Sequence, residues 1–365
     1  MGIVRPFRVD DIEAVADLFW RVFRHKHAPS PPSLRACFQT LYFSYPSCDV
    51  PIGSLVYEDD HGSVRGFIGG IPLRLRYRDK SIWALVAGNH MVDPDLQVPM
   101  AGAMLLRRLF AGPQDLTYSD TANEISVKLW QLLGAGAFLS DSVQWIRVLQ
   151  PSLFALDVLR SFPLGRVFSF LSFPLFWITD VVGTRLLNRS VDRMVAQLTQ
   201  LELDADTMLS SFGQFMNDRA LRPDYHRESL DWRLSLAGGK QECGPLVKTS
   251  VYENGRLLGW YLVYARRGAI AEVLQLVANK KTIDRVLNHL FSSALKRGCV
   301  AVMGSLDSRF FYEYSRNNCI SFIKDCVTVA HSRNLQIMDD LFQGNRFLSR
   351  LEGEWWTRLQ GDDFV

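Results

Sequence analysis

Apolar positions recur along this chain with two periods, and the switches between them mark its elements. Residues 3–7 form a short extended run, after which Ile12, Val15, Leu18, Phe19 and Val22 recur at helical spacing. Asp10 and Asp11 precede that stripe, where carboxylates suit the positive end of a helix dipole. Residues 53–58 and 64–77 read as two strands joined by Asp59-Asp60-His61-Gly62, a hairpin turn. Residues 83–92 are apolar enough for a strand buried on both faces. Asp93-Pro94-Asp95 ends it, because proline removes a donor and drives the preceding residue out of the helical region. Met100, Met104, Leu105 and Leu106 then share one helical face, with Arg107 and Arg108 on the far side. A strand at 115–119 and a helix entered through the capping cluster 120–124 complete the first half.

The same order recurs roughly 190 residues further on. A helix at 208–215 precedes strands at 246–253 and 257–265, joined by the hairpin turn Asn254-Gly255. A strand at 270–277, a helix at 283–295, a strand at 300–305, a helix at 308–316 and a strand at 320–330 follow. The pattern predicts an α/β chain of two duplicated domains, each a mixed, mostly antiparallel sheet flanked by helices. They occupy residues 1–148 and 204–345, with a helical apolar linker at 149–203 and a tail at 346–365.

Two stretches stand apart. Residues 27–51 are rich in proline and aromatic rings, and read either as a pocket-shaping loop or as a packed helix with prolines at its ends. Residues 167–179 carry no charge, but a helix needs about 20 residues to span a bilayer. They form either a buried helix pair or a segment lying in a membrane surface, anchored by Phe168, Phe170, Phe173, Phe176 and Trp177.

Composition narrows the picture. A chain of 365 residues, 48% hydrophobic and 22% charged, suits two globular domains. With 41 basic against 38 acidic residues, the net charge of +3 gives no electrostatic case for a nucleic-acid partner. The six cysteines show no C-x-x-C pair, so reduced thiols are expected, with neither a disulfide framework nor a metal site. The first residues lack the apolar core of a secretion signal, so a cytoplasmic location is expected, with residues 167–179 a possible contact to the inner membrane face.

Around residue 92 the sequence resembles the GNAT N-acetyltransferases. Val92, Pro94, Gln97 and Gly102 match V-x-P-x-x-[RQ]-x-x-G-x-[GA], and Leu105-Leu106 fit the leucine-rich helix behind it. Asn123, Leu129, Leu133 and Gly134 fit N-x-x-A-x-x-L-Y-x-x-L-G-F. The duplication, Asp231-Trp232-Arg233 and residues 347–356 resemble tandem GNAT-like proteins associated with bacterial envelope polysaccharides. The resemblance implies two tandem GNAT-like domains and transfer of an acyl group from acyl-CoA, in particular acetyl-CoA, to an amine. The acceptor it implies is a small molecule or an amino sugar of an envelope glycan. It also implies that Met91, Val92, Gln97, Val98, Met100, Ala101, Gly102, Ala103 and Asn123 contact the cofactor. The second half has Ala278-Asn279-Lys280-Lys281 where that loop would fall, so the first domain is the one expected to bind it. Three positions depart from the family: Met100 replaces a loop glycine, Trp130 a tyrosine acid and Val86 a glutamate base.

Acyl transfer to an amine needs a base, donors for the thioester carbonyl and a proton source for the thiolate. Strict strand alternation places Val86, Gly88 and His90 on one face. His90 titrates near neutrality when unperturbed and is either the base or a satisfied core histidine. Tyr118, at the end of the next strand, is either the acid or a core aromatic, and Asn123 either binds cofactor or caps its helix. In the second half, Asp231, Trp232 and Arg233 read as a structural pair over a stacked ring. Two other readings stay open: a Fem-type aminoacyl-tRNA-dependent transferase, which the near-neutral charge disfavours, and a non-catalytic scaffold.

Overall fold

The computed structural model describes residues 2–46, 53–96, 98, 100–160, 195–323 and 326–364, and Gln97 and residues 167–179 lie outside them. The chain forms two compact units, one of Met1–Ser142, Met216–Glu242 and Lys324–Val365, the other of Val143–Phe215 and Cys243–Ile323.

The first unit opens with β1 (Ile3–Pro6), α1 (Ile12–Arg24), α2 (Pro32–Phe43), β2 (Leu55–Glu58), β3 (Val64–Tyr77) and β4 (Lys80–Val92). Then come α3 (Ala101–Phe110), β5 (Leu116–Ala122), α4 (Glu124–Leu132) and β6 (Gly136–Phe138). Later segments add β9 (Leu221–Pro223), α7 (Arg227–Gly238), β15 (Val327–His331) and α10 (Leu335–Phe342). The sheet runs β1-β2-β3-β4-β5-β15-β6, with β9 on β3. β4 and β5 pair in parallel, with α3 as the crossover; the other pairs are antiparallel.

Local chemistry explains these elements. Asp11, at the start of α1, takes two hydrogen bonds from Arg5 at 2.7 and 2.8 Å, which hold its carboxyl below the usual range. The stripe Ile12, Val15, Leu18 and Phe19 is buried as its period predicts. Pro32 opens α2, where a missing N–H costs nothing. Phe7, Phe19, Phe38, Tyr42 and Phe67 pack ring against ring at 5.0 to 6.1 Å and fix α1 and α2 to one face of the sheet. On the opposite face Leu105, Leu106 and Leu109 of α3 and Trp130 of α4 pack with Ile68, Leu85 and Ala87. Gly134, at φ 88°, ends α4 by letting Ala135 N donate to Trp130 O at 3.0 Å.

The second unit comprises β7 (Val143–Val148), α5 (Pro151–Arg160), β8 (Leu198–Glu202), α6 (Ala205–Met216, whose last residue belongs to the first unit), β10 (Leu246–Glu253), β11 (Arg256–Tyr264) and β12 (Ile270–Ala278). It closes with α8 (Ile283–Lys296), β13 (Ala301–Ser305), α9 (Phe311–Arg316) and β14 (Ile320–Ile323). Its sheet runs β14-β7-β13-β12-β11-β10-β8, with β12 and β13 parallel and α8 as the crossover. Both sheets therefore carry antiparallel hairpins feeding one parallel crossover, the mixed, helix-flanked architecture that the pattern predicts.

Two sequence expectations differ from the structure. The single strand expected at 320–330 is two strands, β14 in the second sheet and β15 in the first. Apolar residues flank Lys324-Asp325 on both sides, and that pattern carries no mark of which sheet each half joins. For the same reason the units interleave, where the pattern divides the chain at 148, 203 and 345. Among the described residues no helix is long and apolar enough to cross a membrane.

Leu105→Ala removes a fully buried side chain that joins α3 to the sheet. It is expected to cost about 2–5 kcal/mol, read as a lower denaturant midpoint with unchanged slope.

Candidate functional site

β4 and β5 exchange parallel pairing only from Ala84–Leu116 to Val86–Tyr118. Beyond that point β4 stays with β3 and β5 with β15, and a gap opens between them. The cause is a bulge. Phe67 opposes Met91 and Gly69 opposes Gly88, so Asn89 and His90 both stand against Ile68. Asn89 sits at φ 50°, a conformation asparagine tolerates better than most side chains. An extra residue bends and twists the strand that carries it.

The bulge also reverses the alternation. Gly88 faces the tail: a Cβ there would lie 1.5 Å from Glu354 Oε2. His90 instead lies beside the first turn of α3, its Nε2 3.4 Å from where a Gly102 Cβ would be. The expectation that Val86, Gly88 and His90 share a face is thus corrected, because one residue too many on β4 shifts the pleat. Burial, opposed by the Gly102 backbone, pushes the His90 imidazole down to about 4, so it is neutral at physiological pH.

The other sequence candidates divide. Tyr118 is buried and donates its hydroxyl to Glu352 O at 2.7 Å. Burial, helped by the charges of Glu352 and Asp120, holds that hydroxyl well above its usual range. Asn123 caps α4, accepting from Ser126 N at 2.9 Å, and also lines the gap. Ala101, Gly102 and Ala103 form the first turn of α3, and Val92 and Val98 pack beneath it. Met91 is buried, whereas Met100 is 62% exposed and directs its side chain to solvent. Asp231 pairs with Arg227, and Arg233 lies over the Trp356 ring while bonding to Leu351 O, so these residues brace the first unit.

Sequence reasoning missed the residue at the centre. Glu354, 3% exposed, enters the gap from the tail. Its backbone N donates to Asp120 Oδ1 at 3.0 Å, and its Oε1 accepts from the Thr121 hydroxyl and from Gln360 Nε2 at 2.9 Å. Gly353 is required beside it, since a Cβ there would meet Asp120 Oδ2 at 1.9 Å. Burial, then the charge of Asp120, pushes the Glu354 carboxyl up to about 8, against the Thr121 hydrogen bond and the charge of Lys240. Lys240, also buried, donates Nζ to Trp355 O at 2.8 Å, to Thr357 O at 3.4 Å and to Gln360 O. A glutamate between glycine and two tryptophans was the one available sign, and nothing local says which sheet it will enter.

A cavity of about 270 Å³ runs through the gap. Asn123, Ser126 and Trp130 line it from α4, Gly88 and His90 from β4, and Ser119 and Thr121 from β5. Phe19 and Phe23 of α1 and Glu354 and Trp355 of the tail complete it. It therefore holds a carboxyl group that gains and loses its proton near neutrality, with hydroxyls on one wall and aromatic rings on another.

No family model and no curated protein sequence matches the chain. Solved structures do match. A GCN5-related N-acetyltransferase from Anabaena variabilis superposes with a TM-score of 0.59 at 9% identity, covering 92% of this chain and 74% of that one. A probable N-acyltransferase from Enterococcus faecalis gives 0.57 at 10% identity over 92% and 74%. Eis1 from Mycobacterium abscessus gives 0.51 at 12% identity over 90% and 73%. At such identities the likeness establishes the fold, which is that of GNAT acetyltransferases.

Glu354 makes stability depend on pH with a definite sign. Its carboxyl holds a proton up to about 8 when folded but only to its ordinary 4.5 when unfolded. Between those values the folded chain binds more protons than the unfolded one, so this group's contribution to stability falls as pH rises, by up to about 1.4 kcal/mol per pH unit. Glu354→Gln is expected to flatten the decline in denaturation midpoints from pH 5 to 8; an unchanged slope would refute the assignment. Gly88→Ala, which places a Cβ where Oε2 lies, is expected to produce the same flattening by expelling the carboxyl.

Proposed function

We propose that the protein is an N-acyltransferase that takes its acyl group from acetyl-CoA or a related acyl-CoA and delivers it to an amine. The observation that carries this reading is Glu354, a carboxyl group ionising near neutrality in the gap where two parallel strands part. The gap suits an acyl-CoA. Among the described residues, the β4 backbone past Val86 has no pairing on its β5 side, and the first turn of α3 at Gly102 and Ala103 presents helix amides of the kind that hold phosphate. Met91, Val92, Val98, Ala101 and Asn123 would flank it, with the Met100 side chain turned away to solvent. When bound, the acyl-CoA supplies the activated thioester carbonyl.

The residues of the chain supply the proton transfers. Glu354, as carboxylate, takes the proton that an acceptor ammonium must lose before its nitrogen can attack. Thr121 and Gln360 orient the carboxylate by bonding to Oε1. The proton then on Glu354 is held by an acid of about 8, close to the strength of a thiol, so the same group can return it to a departing thiolate. This arrangement makes the family tyrosine dispensable: Trp130 stands in its place and Tyr118 keeps its proton on Glu352 O. The neutral His90, on the α3 side, borders the bound donor. Phe19, Phe23 and Trp355 give the cavity an aromatic lining, which suits the apolar side of an amino sugar of an envelope glycan as acceptor.

Calorimetric titration with acetyl-CoA is expected to show binding by the wild type and by Glu354→Gln, and loss of binding in Gly102→Trp. With an amino-sugar panel, Glu354→Gln is expected to lose about 10²–10⁴ in turnover, and the wild-type rate to rise with pH toward a plateau above 8. Absence of acetyl-CoA binding by the wild type, or full turnover by Glu354→Gln, would overturn the reading.

A further inference from the structure

The tail that delivers Glu354 crosses the sheet through residues 353–362 as a series of turns, with no helix or strand to hold it in place. Three of its carbonyls, on Trp355, Thr357 and Gln360, point at one spot, and Lys240 Nζ occupies it. Converging carbonyls in a buried setting need a donor for each, because an unmet one costs free energy and three together repel. An ammonium, with three donors and a positive charge, meets that need. The Lys240 stem lies against the Trp355 ring, Nζ 5.2 Å from its centre, and the residue is 3% exposed. Its neighbours fasten the same turns: Gln241 N and Glu242 N donate to the Asp362 carboxylate at 3.0 and 2.9 Å. From α1, Arg24 donates to Asp362 O at 2.9 Å.

The consequence reaches Glu354 through Gln360. The Gln360 carbonyl is held by Lys240 while its side-chain amide donates to Glu354 Oε1. We propose that Lys240 is a positioning residue that clamps the tail turns and so keeps the Glu354 carboxyl dry and aimed into the gap between β4 and β5. Among the described residues, the charged and titratable groups around Glu354 are Asp120, with the Thr121 hydroxyl, from β5, Tyr42 from α2, Lys240 from the segment after α7, and Arg24 of α1 and the neutral His90 of β4, which line the same cavity. Loss of the clamp therefore acts on Glu354 mainly by admitting water.

The inference deepens the reading of Glu354 as the base, but its test uses neither donor nor acceptor. Failure here would leave acyl transfer standing, and failure of acyl transfer would leave the clamp standing. The full chain is labelled with ¹³C at glutamate carboxyls, Glu354→Gln identifies the resonance, and hydrogen exchange is followed over residues 353–362. In Lys240→Met, the tail amides are expected to exchange at least about tenfold faster and Glu354 to titrate below its wild-type position, toward the ordinary carboxylate range, as water reaches it. Lys240→Arg, which keeps charge and donors, is expected to restore both signals. Lys240→Gln, less disruptive, is expected to fall between, and carries the test if the methionine variant does not fold. Unchanged exchange and titration in Lys240→Gln and Lys240→Met would overturn the proposal. So would an upward shift of Glu354 with the tail still protected, which would make Lys240 a charge acting at a distance.

Discussion

The parallel hydrogen bonding between β4 and β5 stops at Val86 and Tyr118, and the site exists because it stops there. One extra residue on β4, accommodated by Asn89 in a left-handed conformation, turns that strand away from its neighbour. The bulge exposes backbone on both strands and turns Gly88 to one side of the sheet and His90 to the other. Two glycines complete the arrangement. Gly88 and Gly353 have no Cβ where any larger residue would meet the carboxylates of Glu354 and Asp120.

What fills the gap is costly to place there. Glu352, Glu354 and Lys240 are all buried, and an unmet charge in such surroundings costs several kcal/mol. Each is met. Glu352 accepts from the Tyr225 hydroxyl at 2.5 Å and from Ser349 N and Oγ at 2.8 and 2.6 Å, and burial still raises its carboxyl above the usual range. Glu354 has two donors on one oxygen and a carboxylate neighbour in Asp120, which leaves its ionised form disfavoured. A hydrophobic residue would pack there at lower cost. An acid whose proton exchanges near neutrality, set in a cavity, marks Glu354 as the candidate for chemistry in this gap.

The second unit shows a similar sheet topology. β12 and β13 pair in parallel from Ile270–Ala301 to Glu272–Met303, the counterpart of the β4–β5 pair. Past that point Trp145, fully buried, packs on Gly304 at 3.0 Å from its Cβ position and stacks on Tyr314 at 5.1 Å. After β12 the chain enters Asn279, whose side chain accepts from Lys281 N, instead of a glycine-bearing loop. The two halves thus share the sheet topology, and the β4 bulge and the buried Glu354 belong to the first.

Much of this was determined by the amino-acid sequence alone. The two apolar periods located the hairpins and crossover helices of both sheets, because burial of one face imposes a period of 2 or 3.6 whatever surrounds it. Short elements such as β6, β8 and β9 and the helices α7 and α10 went unassigned. The repeat announced two similar sheets, and the loop and cap motifs placed α3, Asn123 and Gly134 where they stand. Tertiary structure decided the rest. A bulge depends on the partner strand, so alternation counted along β4 alone put His90 on the wrong face. The stretch 320–330 divides between sheets, β14 at the end of one and β15 between β5 and β6 of the other, and those places exist only in the assembled sheets. Glu354 joins Gly88, Asp120 and Thr121 through contacts between distant parts of the chain, and its ionisation near neutrality comes from burial and a neighbouring charge. Both arise only when the tail is seated, which no local pattern encodes.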